Sequence, residues 1–494
     1  MAKQELDHKG LQAISTVKAA YDTLDKDRIT VIDKAVDCAK VTIPSVLVAS
    51  SHTEQTALVD TFNSIGARAV NNLSSKLLLS LLPPSTPFFR LNPSDDVLAE
   101  GGTTTEIEKQ LAALELRIVS EVERKAYRST VFEAFKSLIV TGNSLLLLEE
   151  GTMSMFKLDR YVINRDFSGN VLEIILKETI SGRELPEDQQ EGLEADELKK
   201  PVDVYTRYYS TGNGNWLSYQ EIKDEVIEGS ETTFKDDTLP VIPLRWSKIS
   251  GENYGRGMVE AFLGDLRSLE GLTQLLLEHT SIAATTIFGV KPGSVLSVSD
   301  LEGAENGGVI IGDLERDVSV LRVDKGSDMQ LPMQMSQEIT QRISIAFMLQ
   351  SGAVRNSERT TAVEVQYLAK ELEDTLGGIY SVISQEFQLP LVKLILNDLK
   401  YDLEGSVEIS VVTGLESLGR NSDLQKLREL NAMIAEVNPQ YLTQYLKVDE
   451  YLKRIATAVG VQNTEGLFRS DEEVQQQQAA QAQAQAAPDQ QQQG

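Results

Sequence analysis

The chain has 494 residues, room for about two to four domains, and carries 47 basic against 74 acidic side chains for a formal charge of −27. That balance excludes a protein that coats nucleic acid by neutralising its phosphates. A single cysteine, Cys38, excludes an internal disulfide framework, fits a reducing compartment, and reads as a small core residue on a helix.

The first twelve residues, MAKQELDHKGLQ, lack the apolar core of a secretory signal. No apolar run approaches the roughly 18 residues of a membrane span, so no membrane partner is expected. Residues 3–40 read as charged helix. Residues 63–82 resume at helical spacing with Ile65, Val70, Leu73, Leu77 and Leu81 on one side, until Pro83, Pro84 and Pro87 stop them. Residues 106–138 read as helix in one or two pieces. Thr141, Gly142 and Asn143 turn that helix into an apolar strand at 145–148, and residues 161–163 and 171–176 flank the turn FSGN as a hairpin. Between residues 184 and 197 seven of fourteen positions are acidic and none is basic, which marks a solvated insertion. Strands at 202–209 and 216–227 surround TGNGN, so residues 1–253 read as a mixed α/β domain.

Residues 254–284 follow as one long helix, with Met258, Phe262, Leu266, Leu269, Leu272 and Leu276 on one side. Its partner is a helix at 331–349, where Leu331, Met335, Ile339, Ile343 and Phe347 recur every fourth residue. Short β-prone pieces between the two, broken by glycines, predict a small β-rich module at the far end of a helical hairpin. After the second helix, Gln350, Ser351, Gly352, Arg355, Asn356, Ser357, Glu358 and Arg359 form a polar, arginine-bearing loop. A further helix carries Val365, Leu372, Leu376, Ile379, Ile383 and Phe387, and bends or restarts at Pro390. Residues 407–412 alternate as a strand and 422–459 return to helix. Seventeen of the last twenty residues are Gln or Ala, too little to bury, and predict a disordered tail.

No GxxxxGK[ST] string occurs, so this chain carries no sign of ATP hydrolysis and any motor must be another protein. The histidines His8, His52 and His279 are far apart in sequence and none lies in HExxH, and GxSxG is missing. Neither catalytic residues, cofactor nor metal is expected. Acidic pairs such as Glu371 and Asp374 read as a solvated helix face. Arg355 and Arg359 are open to two readings, contact with phosphate or ordinary salt bridging, with Glu358 between them weakening any tight site.

Five runs, IGARAVNNLSSKLLLSLLP, VFEAFKSLIVTGNSLLLL, YGRGMVEAFLGDLRSLEGL, ISIAFML and ELEDTLGGIYSVISQEFQLPLV, together resemble the portal, or head-to-tail connector, proteins of short-tailed double-stranded DNA phages. The resemblance runs in the same order from about residue 24 to 460. It implies an α+β, mainly helical portal fold: wing 1–253, first stem helix 254–284, clip 285–323, second stem helix 324–349, tunnel loop 350–359, long wing helix 360–406, helical crown 407–470 and disordered tail 471–494. It also implies a homododecameric ring at one capsid vertex with double-stranded DNA passing through it.

By the same resemblance, the clip docks the terminase large subunit and later the tail adaptor, with Ile287, Phe288, Lys291, Leu296, Ile310, Ile311, Arg316, Leu321 and Arg322 as its docking residues. Major capsid, scaffolding and internal core proteins are further implied partners, in the virion and, during assembly, the host cytoplasm. A net-negative channel would let DNA slide without sticking, since twelve copies at −27 carry about −324 in all. The alternatives are an enzyme with an unrecognised carboxylate site, or another oligomeric phage protein such as an adaptor or internal core protein.

Overall fold

The computed structural model describes residues 16–49, 56–84, 87–93, 104–185, 200–212, 214–284, 287–294, 297–303, 313–321, 329–349, 362–401 and 407–411, with Leu430, Ala432, Met433, Tyr451 and Ile455. The chain divides into a larger unit, Met1–Glu358 with Glu371–Val411, and a smaller one, Arg359–Lys370 with Val412–Gly494. The acidic run 186–199 and the Gln/Ala tail lie outside the described residues.

The larger unit opens with α1 (Val17–Asp27) and α2 (Ile29–Lys40) in place of the one long charged helix expected. Glu221, only 3% exposed, caps α1: its carboxylate accepts from Val17 N at 2.7 Å and Lys18 N at 3.0 Å, placing negative charge at the helix's positive end. On α2, Cys38 is 1% exposed, and burial pushes its thiol up to about 12. Thiolate is the reactive form, so the folded chain should fail to react with dithionitrobenzoate near pH 8, whereas one thiol per chain should react after unfolding in guanidinium. Reaction of the folded chain would contradict the burial.

Helices α3 (Ile65–Leu81), α4 (Thr104–Arg124) and α5 (Tyr127–Thr141) build the first core, with strand β1 (Phe89–Pro93) between α3 and α4. Ile65, Val70, Leu73, Leu77 and Leu81 are all buried, as their spacing requires, and α3 packs on α5. Ala126, at φ 54, breaks α4 from α5. The apolar run after Asn143 becomes β2 (Asn143–Glu149), the middle strand of a three-stranded sheet between β3 (Thr152–Phe156) and β10 (Val241–Arg245). Its first six residues are buried, which is why it reads LLLL without alternation.

A second sheet runs β4 (Tyr161–Arg165), β5 (Val171–Ser181), β6 (Pro201–Gly212), β7 (Asn215–Ile222), β8 (Glu225–Val226), all antiparallel, with β9 (Thr232–Lys235) also on β7. Tyr21 of α1 meets Tyr205 edge-on at 5.3 Å, within a core that includes Val17, Val162, Ile175 and Tyr219.

The helix expected over 254–284 begins later and in two pieces, α6 (Met258–Ala261) and α7 (Leu263–Ala284), separated at Phe262. Then come β11 (Ile287–Val290), the short α8 (Val298–Glu302) and α9 (Leu314–Asp317), β12 (Val318–Leu321), and α10 (Gln330–Ala346). Helix α11 (Ala362–Leu376) leads to α12 (Gly378–Ile383), a π-helical turn at Ser384–Gln388, and α13 (Leu389–Asp398). The break anticipated at Pro390 is thus absorbed one turn earlier, because the wider π turn leaves proline in the first turn of α13, where no amide is needed. Gln388 donates to Leu81 O at 2.6 Å, capping α3.

Strand β13 (Val407–Val411) pairs antiparallel with β1, 300 residues earlier in the chain and more, with Leu91 opposite Ile409. It therefore counts with the larger unit. In the smaller unit the described residues are the first part of α11 and five isolated helical positions, of which Leu430 and Met433 are exposed.

Candidate functional site

The candidate site is the helical hairpin of α7 and α10 with the strand pair β11–β12 at its end. The two helices run antiparallel: the ring of Phe262, just before α7, meets Phe347, just after α10, edge-on at 5.6 Å, and Arg342 pairs with Asp265 at 2.9 Å. Near this root the apolar stripe is buried, with Leu266, Leu269, Ile339, Ile343 and Phe347 all at 5% exposure or less. Polar contacts anchor it further. Glu270 accepts from Asn63 N at 3.1 Å, Asn63 Nδ2 donates to Thr273 at 3.2 Å, and Arg267 pairs with Asp37 at 2.7 Å.

Away from the root the pattern reverses. Leu275 is 47% exposed, Leu277 55%, Ile282 54%, Leu331 65%, Met333 56% and Met335 47%. The stripe expected along α10 is thus buried in its second half and bare in its first. Leu275 and Ile282 share a face with Gly264 and Gly271 at spacings of seven, four and seven. A Cβ built on either glycine would meet nothing within 4 Å. Isolated exposed apolar residues are ordinary; a run of them along both members of one hairpin marks an interaction surface.

At the hairpin's end β11 and β12 pair antiparallel, Ile287 opposite Leu321 and Phe288 opposite Val320. Phe288 is 61% exposed, and Lys291 and Arg316 are exposed as well. Asp313 caps the short α9 by accepting from Arg316 N at 3.2 Å. Leu296, Ile310, Ile311 and Arg322 lie outside the described residues. So do all the loop residues, Gln350, Ser351, Arg355, Asn356, Ser357, Glu358 and Arg359.

The segment just before that loop is described, and it is held by residues that the periodicity did not single out. Met348 adopts φ 55, and its carbonyl accepts from Asn72 Nδ2 at 3.1 Å and Lys76 Nζ at 2.9 Å. Lys76 also lies 3.7 Å from Glu371, the residue that resumes the larger unit after the loop. Burial holds the Lys76 ammonium below its usual range, against the opposing pull of Glu371. A lysine directly before the apolar run Leu77–Leu79 of α3 was the available signal, since buried polar side chains need partners.

The hairpin helices offer little to hold a phosphate backbone. Together α7 and α10 carry Asp265, Glu270, Glu278 and Glu338 against Arg267 and Arg342, and both arginines are already paired with carboxylates. Among the described residues no helix is long and apolar enough to cross a membrane.

Comparison with known proteins shows the family. The family model described as bacteriophage head to tail connecting protein matches residues 15–464. The portal protein of Enterobacteria phage T3 is 37% identical over 478 residues, 93% of this chain and 89% of that protein. The portal protein of Escherichia phage T7 is 36% identical over 486 residues, 94% of this chain and 90% of that one. A chain from the neck of an empty GTA particle is more distant, at 14% identity and a TM-score of 0.38 over 74% of this chain and 86% of that one. With a match of that extent and relatives of that identity, the chain belongs to the bacteriophage head-to-tail connecting protein family, the phage portal proteins.

Proposed function

We propose that twelve copies of this chain form a closed ring at one capsid vertex, that double-stranded DNA passes along its axis during packaging and ejection, and that the chain itself performs no catalysis. The observation that carries this reading is the apolar run on the distal hairpin, which its own chain leaves bare. A ring built by rotation joins two different faces of each copy, so a hairpin needs apolar residues on more than the stripe facing its partner helix. Burying four to six such side chains would contribute on the order of 10 kcal/mol per interface before the costs of association. Gly264 and Gly271, each costing about 1 kcal/mol inside a helix, fit a face that a neighbour approaches closely.

In this reading residues 1–253 with residues 360–406 are the wing, α7 and α10 the stem, residues 285–323 the clip, 350–359 the tunnel loop and 407–470 the crown. The exposed Phe288, Lys291 and Arg316 suit the clip to docking the terminase large subunit, and the tail adaptor once packaging ends. The ring nucleates capsid assembly with the major capsid, scaffolding and internal core proteins in the host cytoplasm. The paired arginines and net acidity of the stem let duplex DNA move without being gripped. The test is the solution mass of the purified chain by light scattering, with negative-stain images of the same peak. Twelve copies of 54.5 kDa give about 654 kDa and an axial hole. A 54.5 kDa species without rings at high concentration would overturn the reading.

The tunnel loop follows as a separate prediction. Reversing Arg355 and Arg359 to glutamate should leave ring mass unchanged, while DNA retention in filled heads falls, because each lost phosphate contact weakens binding in a salt-dependent way. Unchanged retention and packaging would reject a DNA contact by the loop.

A further inference from the structure

Far from the hairpin, three cations converge in the wing around one carboxylate. Arg165 ends β4, Arg245 ends β10, and Lys248 follows in the next loop. Arg245 is 4% exposed, and its Nη2 donates to Glu386 Oε1 at 2.7 Å across from the π-helical turn. Arg165 uses Nη1 on Gly169 O at 3.1 Å and Nη2 on Pro243 O at 3.4 Å. The Lys248 ammonium donates to Ser168 O. Those bonds leave Arg165 Nε, Arg245 Nε and Arg245 Nη1 buried without a hydrogen-bond partner among the described residues.

The groups are close. A Cβ built on Gly169, in the turn after β4, would have Lys248 Nζ at 2.8 Å and Arg245 Nη1 at 3.2 Å, so both cations border one point. Gly169, at φ 92, carries no side chain there, and Lys248 packs against the turn in its place, its Cε 2.6 Å from that point. The Asp166 carboxylate, which accepts from Asn170 N at 2.8 Å and Asn170 Nδ2 at 2.9 Å, keeps its charge but forms no ion pair with the three cations among the described residues. Within the cluster Glu386 pairs with Arg245, so Arg165 and the exposed Lys248 have no carboxylate partner among the described residues. Burial, and next the charge of Arg245, push the Arg165 guanidinium down to about 10. Unsatisfied buried donors on charged groups are costly, and a native structure keeps them for a reason.

We propose that Arg165, Arg245 and Lys248 bind one free, doubly charged tetrahedral oxyanion, inorganic phosphate or sulfate, as a structural anion of the wing. A dianion matches the residual charge, and its oxygens accept from guanidinium N–H groups at several angles at once. A water molecule could take one or two of the donors but would leave the repulsion between the arginines in place. Arg245 is too deeply buried for a duplex backbone to reach it, so the ligand is the free ion.

The experiment is equilibrium dialysis of the assembled full-length protein against radiolabelled inorganic phosphate, with ionic strength held constant in chloride. Saturable binding of one phosphate per chain is expected, displaced by sulfate and not by a short DNA duplex. Lys248→Gln should weaken it at least tenfold, as should Arg165→Gln. Lys248 is exposed, so its variant reports even where a buried arginine variant fails to fold. Absence of saturable binding overturns the proposal. Equal binding by the Lys248→Gln protein means an adventitious ion only, and displacement by duplex as effective as by sulfate means that the site takes a phosphodiester instead.

Discussion

Replacing Leu275 and Ile282 together by glutamate is expected to abolish rings while the chain still folds. Both side chains are about half exposed in the isolated chain, at 47% and 54%, so the substitution removes little from its own core and should change its unfolding free energy by no more than about 0.5 kcal/mol. Between copies the effect is of another size. Two carboxylates forced into an apolar contact cost on the order of 3 kcal/mol or more, a loss of at least about a hundredfold in each interface constant. Because every copy in a ring contributes the same face, the loss recurs at each junction. Light scattering checks the mass and circular dichroism the fold. A variant that still gives rings would show that this face of α7 points away from the neighbour.

Gly257→Ala is expected to destabilise the chain by about 4 kcal/mol or more, measured as the shift of the guanidinium unfolding midpoint. Gly257 has φ −76, which any residue tolerates, so the cost is one of space alone. An added Cβ would lie 2.8 Å from Gly142 N and 2.9 Å from the carbonyls of Ile139 and Val140, all backbone atoms that cannot rotate aside. The same place is closed from the other side. Gly142 takes φ 81, and Asn143 exchanges two hydrogen bonds with Gly255, accepting from its N at 2.8 Å and donating to its O at 2.9 Å. Gly264→Ala, read on the unassembled chain, is the control: nothing of its own chain lies within 4 Å of its added carbon, and the change should stabilise the helix by up to about 1 kcal/mol. Equal effects of the two substitutions would contradict the crowding.

These two glycine strings show what a sequence can and cannot carry. TGN at 141–143 read as a turn from helix to strand, which it is, and YGRG at 254–257 read as the start of a helix that in fact begins at Met258. Nothing local says that the two touch. Their glycines are needed because two backbones meet at that junction, a property of the pair and of neither alone.

The candidate site divides in the same way. Spacing alone placed the two helices of the hairpin and the β-prone pieces between them, because periodicity of apolar residues is a local property that survives any packing. It also gave Ile339, Ile343 and Phe347 the same standing as Leu331 and Met335. Only the packing separates them: the first three are covered at the root and the last two are bare. The anchoring of Met348 by Asn72 and Lys76 was equally invisible, since it joins residues more than 270 positions apart in the chain.

By itself, then, the sequence determined the net acidic charge, the order and type of most elements, and the family, because each of these is written in composition or in runs of neighbouring residues. The tertiary structure decided which apolar residues of the hairpin stay exposed, that strand Val407–Val411 joins Phe89–Pro93, and that Arg165, Arg245, Lys248 and Glu386 lie together with buried donors left unpartnered among the described residues. Those facts depend on distances between segments far apart in the chain. No local pattern of side chains encodes such a distance, and only the closing of the whole core fixes it.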